Sequence, residues 1–319
     1  VGGVSFIKME SSDIGDKPFA RIATFTRAFV AIYVAITLLC VIAYDLFGMS
    51  HFDALNHALT TIATGGFSTH DASFGYFDSH ALRLIGTIFM TLCSLPFSIL
   101  IVFFIKGRLD ALRDPQILVF LGYLGTFAIS AALYNHLRNG VELPLALSHS
   151  FFNFASILST TGYASEDYTL WGPFAVAAAF FATFMGGCSG STAGGIKAYR
   201  FVILFNIIMN GLKKLIYPNA VYSVRYGSQI VDADTQRAVF LFFSAYIFIW
   251  VIGSLAMALA GYDFATSASS VITALSNVGP GVGSLIGPAG NFAMMHDPEL
   301  YILSLAMLLG RLEVLTVMV

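Results

Sequence analysis

A short glycine-centred motif occurs three times in this 319-residue chain, at intervals of 96 and 117 residues between Gly66, Gly162 and Gly279. Each copy follows a short amphipathic segment and precedes a long apolar one. Main-chain carbonyls that converge on one axis can replace the water shell of a small cation. The motif therefore predicts a cation site. Its candidate ligands are the main-chain carbonyls of Thr64, Gly65, Gly66, Thr160, Thr161, Gly162, Asn277, Val278 and Gly279.

The chemistry of this motif depends on the helix before it and on glycine itself. A half-helix that enters a bilayer from outside ends near the midplane, where its C-terminal carbonyls carry partial negative charge and favour a cation. The chain can then return in an extended form. Glycine is required where the backbone bends unusually or approaches an ion without hindrance from a Cβ atom.

A second candidate is a glycine-rich stretch, the glycine loop (186–197), in the middle of a long apolar segment. Five glycines in this window do not favour a regular helix, because each costs about 1 kcal/mol relative to alanine. We expect two half-helices joined by a loop at membrane depth that opens and closes a pore; the alternative is a packing kink between close helices. The expected gate residues are Gly186, Gly187, Ser189, Gly190, Ser191, Gly194, Gly195, Lys197 and Arg311.

Arg311 lies inside the last apolar segment, two residues before Glu313. An arginine at the centre of a membrane helix costs about 2.5–3.5 kcal/mol on insertion scales, so it indicates a functional position. We expect it to face the pore, to repel cations and to contact the glycine loop. The alternatives are that it reaches the cytoplasmic interface or pairs with Glu313.

Composition identifies the class of protein. The chain is 57% hydrophobic and 11% charged, whereas soluble domains carry about 25% charged residues. Several windows exceed the roughly 18 apolar residues of a transmembrane helix. A membrane protein surrounded by lipid is therefore predicted, and the lack of a basic stripe argues against a nucleic-acid partner. Cys40, Cys93 and Cys188 lie in apolar segments and are predicted to be buried hydrophobic residues.

The apolar segments predict an all-α polytopic fold. The expected spans are 25–47, 82–105, 117–137, 171–217, 237–259 and 300 to the end. Between them, residues 52–63, 145–157 and 264–275 are each about 12 residues long, or roughly 18 Å as helix, too short for a ~30 Å bilayer core. They predict re-entrant pore helices in three repeated units, each built of a span, a half-helix, a turn and a span. The predicted units are 1–114, 115–234 and 235–319.

Charge asymmetry predicts the orientation. Basic residues cluster in connections that the positive-inside rule places in the cytoplasm. The glycine turns then open outward. The basic residues are Lys8, Lys17, Arg21, Arg27, Lys106, Arg108, Arg113, Arg200, Lys213, Lys214, Arg225 and Arg237.

An intramembrane serine protease is a competing interpretation, because residues 187–190 read Gly-Cys-Ser-Gly. That chemistry needs a histidine base within hydrogen-bond reach of the serine. All seven histidines are expected on the outer half, away from the loop, so an enzyme is not predicted. They also lack a metal-site motif.

At these residues the chain resembles the Trk/Ktr/HKT potassium transporters, and most closely the bacterial TrkH subfamily. Residues 52–55 (Phe-Asp-Ala-Leu) and 64–71 resemble the second pore repeat, and residues 159–163 resemble the third filter. Residues 185–197 resemble the intramembrane loop, 276–281 the fourth filter, and 310–313 the last pore-lining helix. The resemblance covers nearly the whole chain.

The resemblance implies potassium uptake through a gated, carbonyl-lined selectivity filter in the cytoplasmic (inner) membrane. It implies four repeats around a pseudo-fourfold pore, with one filter glycine each, and potassium as the bound ion without an organic cofactor. It also implies a homodimer on a cytosolic ring of nucleotide-binding subunits. Because the first repeat is not in the sequence, we expect a fragment, or a quarter supplied by another chain. The alternatives are a broken-helix transporter of another cation or solute and a non-conducting remnant.

Overall fold

The computed structural model describes residues 22–107, 112–283 and 285–312, and it is almost entirely α-helical. The expectations that concern Lys8, Lys17, Arg21, Arg108 and Glu313 lie outside these residues.

The helices follow the predicted order of spans and half-helices. The first unit contains α1 (Ile22–Leu46), α2 (His51–Ile62), α3 (His80–Cys93) and α4 (Phe97–Lys106). The second unit contains α5 (Pro115–Asn139), α6 (Leu143–Leu158), α7 (Pro173–Thr183) and α8 (Ala198–Ile216). A small antiparallel hairpin of β1 (Arg225–Tyr226) and β2 (Gln229–Ile230) leads to the third unit. That unit contains α9 (Ala233–Leu259), α10 (Phe264–Ser276) and α11 (Asp297–Arg311).

Three described helices are long and apolar enough to cross a bilayer: Phe25–Leu46 within α1, α5 and α9. The half-helices α2, α6 and α10 are shorter than a bilayer core, as the sequence predicted. Side chains that accept hydrogen bonds from the first turn fix the starts of four helices. These N-cap residues are Ser50, Ser79, Asp114 and Asp263.

The span predicted over 82–105 consists of two helices joined by a sharp bend. The helix stops at Cys93, and α4 leaves at 101° to α3. Pro96 causes the break, because it lacks an N–H group and disfavours helix at the residue before it. The freed main chain is paired by the glycine loop instead. Cys188 N donates to Ser94 O at 2.8 Å, and Phe97 N donates to Gly190 O at 3.0 Å.

The largest hydrophobic core joins the first and second units. At its centre the ring of Phe74 lies 4.6 Å from that of Phe152 and 5.4 Å from that of Tyr163, measured between centroids. Cys40, Cys93 and Cys188 are all free and fully buried, which confirms the prediction of hydrophobic roles. This core holds α2 and α6, and with them two of the three glycine turns, in one fixed relation.

Two helical glycines give a matched test of a second packing contact, that of α9 on α10. A Cβ atom on Gly253 of α9 would lie 2.7 Å from Val271 Cγ1, whereas one on Gly122 of α5 would meet nothing within 4 Å. We expect Gly253→Ala to lower stability by about 1–2 kcal/mol through overpacking. Gly122→Ala should keep or raise stability by up to about 1 kcal/mol through helix propensity. Thermal unfolding in detergent measures both, and equal midpoints would contradict the packing.

A candidate cation pathway

The three glycine turns (64–66, 160–162 and 277–279) share one set of hydrogen bonds to the half-helices before them. In each turn the middle residue donates its N–H to the carbonyl oxygen of the residue five positions earlier. The pairs are Gly65 with Thr60 (2.7 Å), Thr161 with Ser156 (2.9 Å) and Val278 with Thr273 (2.9 Å). The sequence repeat is therefore also a repeat of main-chain geometry, at the C-terminal end of three half-helices.

The backbone of each turn alternates between left-handed and other conformations. The first residue has a positive φ, at 51° for Thr64, 56° for Thr160 and 57° for Asn277. The glycine two positions later is also left-handed, at 69°, 88° and 110° in chain order, and the residue between them is not. A positive φ is strained for threonine, so the surrounding structure must impose it. In an extended strand successive carbonyls alternate sides, whereas a backbone that alternates in handedness can direct successive carbonyls to a common side.

The main-chain carbonyls of these turns differ from their N–H groups in how they are paired. Among the described residues, no hydrogen bond is donated to a main-chain carbonyl of the nine predicted ligand residues. The N–H groups of the same turns are paired with the half-helices. Unpaired carbonyls at membrane depth are costly unless water or an ion satisfies them. The arrangement therefore has the chemistry of a cation site built from main-chain oxygens.

The glycines let neighbouring turns approach each other. A Cβ atom on Gly66 would lie 1.8 Å from Thr161 O, and one on Gly162 would lie 2.2 Å from Val278 O. A Cβ atom on Gly279 would lie 3.9 Å from the Cα of Gly162. The order of the turns in space is thus the order in the chain, with the 160–162 turn in the middle. The structure places all nine predicted ligand residues in this one cluster.

A hydroxyl residue that sequence reasoning missed precedes each turn, and in the first and third turns its side chain supports the turn. Thr60, Ser156 and Thr273 each precede the glycine of their turn by six positions. The Thr60 hydroxyl donates to Phe67 O at 2.8 Å, and the Thr273 hydroxyl donates to Pro280 O at 3.0 Å. The constant spacing of a hydroxyl residue before the glycine was the signal that could have revealed them.

The glycine loop joins α7 to α8, as predicted. It is closed on itself by Gly186 N, which donates to Ile196 O at 2.9 Å. A Cβ atom on Gly186 would lie 2.1 Å from Gly194 O, so the loop doubles back too tightly for a side chain there. Two half-helices and an irregular middle are what the glycine content indicated.

The loop lies directly against two of the glycine turns. Gly194 N donates to the Thr160 hydroxyl oxygen at 2.6 Å, and a Cβ atom on Gly194 would lie 2.6 Å from Ser276 O. The last helix, α11, also packs closely on the end of α10. A Cβ atom on Gly310 of α11 would lie 1.7 Å from Leu275 O. Loop, turns and last helix thus form one contact network.

The side chains of both predicted basic residues contact main-chain carbonyls of the loop. Arg311 Nη1 lies 3.5 Å from Thr192 O, and Lys197 Nζ donates to Ala193 O. A cavity of about 230 Å³ opens between them, lined mainly by the loop together with Phe242 and Gly310. The expected contact between Arg311 and the loop is present, and Arg311 remains exposed.

The N-terminal end of α2 carries a negative charge. Asp53 accepts hydrogen bonds from the Thr69 hydroxyl at 2.6 Å and from the Ser50 hydroxyl at 2.7 Å. These bonds, that of Thr69 foremost, lower the pKa of Asp53. The carboxylate therefore stays charged over a wide pH range close to the segment that follows the first glycine turn.

The family model for TrkH, described as a cation transport protein, matches residues 3–134 and 135–319 of the chain. The chain belongs to the TrkH family. Its similarity to the Trk system potassium uptake protein TrkI of Halomonas elongata is 42% identity over 321 residues, which cover 100% of this chain and 65% of that protein. Similarity to the Trk system potassium uptake protein TrkH of Escherichia coli is 37% identity over 328 residues, covering 100% of this chain and 66% of that protein.

The fold has a close counterpart among solved structures. The crystal structure of the potassium transporter TrkH from Vibrio parahaemolyticus superposes with a TM-score of 0.88 at 33% identity, and the match covers 99% of this chain and 69% of that one. This confirms the resemblance to the family and the predicted helical membrane fold. The TrkH-family chain described here spans about two thirds of the length of these relatives.

The contact between the glycine turns predicts a sharp difference between adjacent glycines of this TrkH-family chain. We expect Gly66→Ala to lower thermal stability clearly, because the new Cβ collides with the Thr161 carbonyl and φ is +69°. Gly65→Ala is the matched control, since its nearest neighbour is a Phe67 ring carbon at 3.4 Å. Strain of this kind costs about 1–3 kcal/mol. If both variants melt together, the turns do not touch as described.

Proposed function

We propose that this chain forms part of a potassium pore across the cytoplasmic membrane, and that the carbonyls of its three glycine turns form most of the filter. The observation that carries the proposal is the threefold repeat of paired N–H groups and unpaired carbonyls at the ends of half-helices. Rings of carbonyls select cations by cavity size and by the number and strength of their dipoles. The names of the relatives, which are potassium uptake proteins, favour potassium as the ion.

The three turns form part of a ring in this proposal. The 160–162 turn is flanked on both sides and its threonines are buried, whereas Gly65 and Gly279, in the two outer turns, are exposed. A fourth turn would fit between the outer two. We infer that a further repeat, from a longer chain or from another one, completes the pore.

The glycine loop is the gate in this account. Its Gly194 N–H donates to the Thr160 hydroxyl, and its residues line the cavity beside Lys197 and Arg311. Two positive charges beside the path would oppose a cation, as Coulomb repulsion in a low-dielectric site is strong. The loop has little regular structure of its own and is held by hydrogen bonds to other segments, as at Ser94, Thr160 and Gln116, so breaking those bonds allows it to open.

Partners are part of the same proposal. We infer a homodimer in the inner membrane, with a cytosolic ring of nucleotide-binding subunits that controls the gate. The relatives are named as members of a Trk system, which favours such further subunits. A broken-helix transporter of another solute and a non-conducting remnant are the alternatives that the transport experiment must separate.

Uptake of radioactive rubidium into proteoliposomes tests the ion and the pore together. We expect uptake when the chain is reconstituted with a first repeat, and stronger competition by potassium than by sodium. The chain without that repeat should show little uptake. Equal competition by both ions would contradict a potassium filter, and no uptake in either form would favour the remnant.

A pair of threonine variants tests the gate. Thr160→Val removes the hydroxyl that accepts the Gly194 N–H, while the hydroxyl of Thr64, at the equivalent position, donates to the neighbouring Ala63 O at 2.7 Å. Both substitutions keep the main-chain carbonyls and a β-branched side chain. We expect Thr160→Val to raise rubidium flux about three- to tenfold, the equivalent of one ordinary hydrogen bond, and Thr64→Val to leave it unchanged.

The opposite ranking, or no change in either variant, would contradict a gate held by the Thr160 contact. Deleting several glycines of the loop should also raise flux in the complete pore.

A further inference from the structure

A continuous chain of hydrogen bonds runs from the 225–230 hairpin to the glycine loop. Tyr226 Oη donates to Asp114 Oδ1. The same oxygen, Asp114 Oδ1, accepts from Gln116 N at 3.0 Å, and the side chain of Gln116 turns toward the loop, where its Oε1 accepts from Ser189 N at 2.9 Å. Four residues from three parts of the chain are thus connected without a gap.

This chain of contacts is shielded from water. Gln116 is 3% exposed, Ser189 5% and Tyr226 7%. Buried hydrogen bonds are costly to lose, because a group left without its partner bears its full desolvation penalty. Burial, reinforced by the Asp114 contact, raises the pKa of Tyr226, so its hydroxyl keeps the proton that it donates.

The hairpin is itself anchored and can transmit a displacement. Asn206 of α8 donates to Arg225 O at 3.0 Å, and Asn210 donates to Ser223 O at 3.1 Å. A Cβ atom on Gly227 would lie 3.8 Å from Pro115 Cγ, so the hairpin turn also packs on the start of α5. A shift of this hairpin must therefore either move the start of α5 or break the Tyr226–Asp114 bond.

We propose that Tyr226, Asp114 and Gln116 are positioning residues that hold the glycine loop closed and couple its opening to the hairpin. The inference rests on the proposed gating role of the loop. Gln116 fixes the loop at Ser189, Asp114 fixes Gln116 by capping α5, and Tyr226 fixes Asp114. A displacement of the hairpin would therefore release the loop at Ser189, whereas the contact with Thr160 holds the loop at Gly194.

Cys188 offers a readout of the loop that does not depend on transport. It is fully buried next to Ser189, and it can react with a thiol reagent only when the loop opens. Cys40 on α1 is equally buried but remote from the loop in sequence and serves as an internal reference. The full chain in membranes is treated with N-ethylmaleimide, and peptide mass spectrometry gives the labelling rate at each cysteine.

Three substitutions break the chain of contacts and two control for it. We expect Tyr226→Phe, Gln116→Leu and Asp114→Ala each to raise the labelling rate of Cys188 about tenfold, while that of Cys40 stays the same. Asp114→Asn should label like the wild type, because asparagine caps a helix as well as aspartate and keeps an acceptor oxygen. Asn210→Ala should also leave Cys188 protected, because it removes only the Ser223 contact and keeps the hairpin held at Asn206 and Gly227.

The double variant Tyr226→Phe/Gln116→Leu should label no faster than Gln116→Leu alone, since the two contacts act in series. Unchanged labelling in Tyr226→Phe would overturn the coupling to the hairpin. Equal gains at Cys40 and Cys188 would also overturn it, because they report general unfolding. Failure of rubidium uptake with a normal labelling response would count against the proposed pore and leave this coupling standing.

Discussion

In the glycine turns the half-helices pair the main-chain N–H groups but not the main-chain carbonyls, and the rest of the structure depends on this constraint. The N–H groups are paired with the half-helices at Thr60, Ser156 and Thr273, so the carbonyls remain for something else. Backbone without partners is tolerated at membrane depth only where it lines a wet cavity or is buried in protein. The half-helices, the glycines and the left-handed threonines all serve to keep those carbonyls unpaired and close together.

The glycine loop solves the same problem in a different way. Its N–H and carbonyl groups pair with main chain that other breaks have freed, as at Ser94 and Phe97 around the proline bend after α3. It also borrows side-chain partners from Thr160 and Gln116. A segment held by contacts from several helices, and by little of its own regular structure, has local stability that those contacts can tune.

Sequence reasoning found the half-helices, the interrupted segment and all nine turn residues, because glycine spacing and hydrophobic length are local signals. It missed the bend at Pro96, since the apolar run continues through it without a change in composition. It also missed Gln116 and Tyr226, whose role arises from contacts with residues 73 and 112 positions away. Hydrogen bonds of such sequence separation leave no periodic pattern, and only the assembled fold reveals them.

The central claim is that a cation lies among the carbonyls of the three glycine turns. Anomalous diffraction from crystals of the protein grown in rubidium tests it most directly. We expect a rubidium peak within coordinating distance of carbonyl oxygens from residues 64–66, 160–162 and 277–279, which weakens when potassium replaces rubidium and persists in sodium. Ordered rubidium elsewhere in the protein, with water alone between these carbonyls, would contradict it.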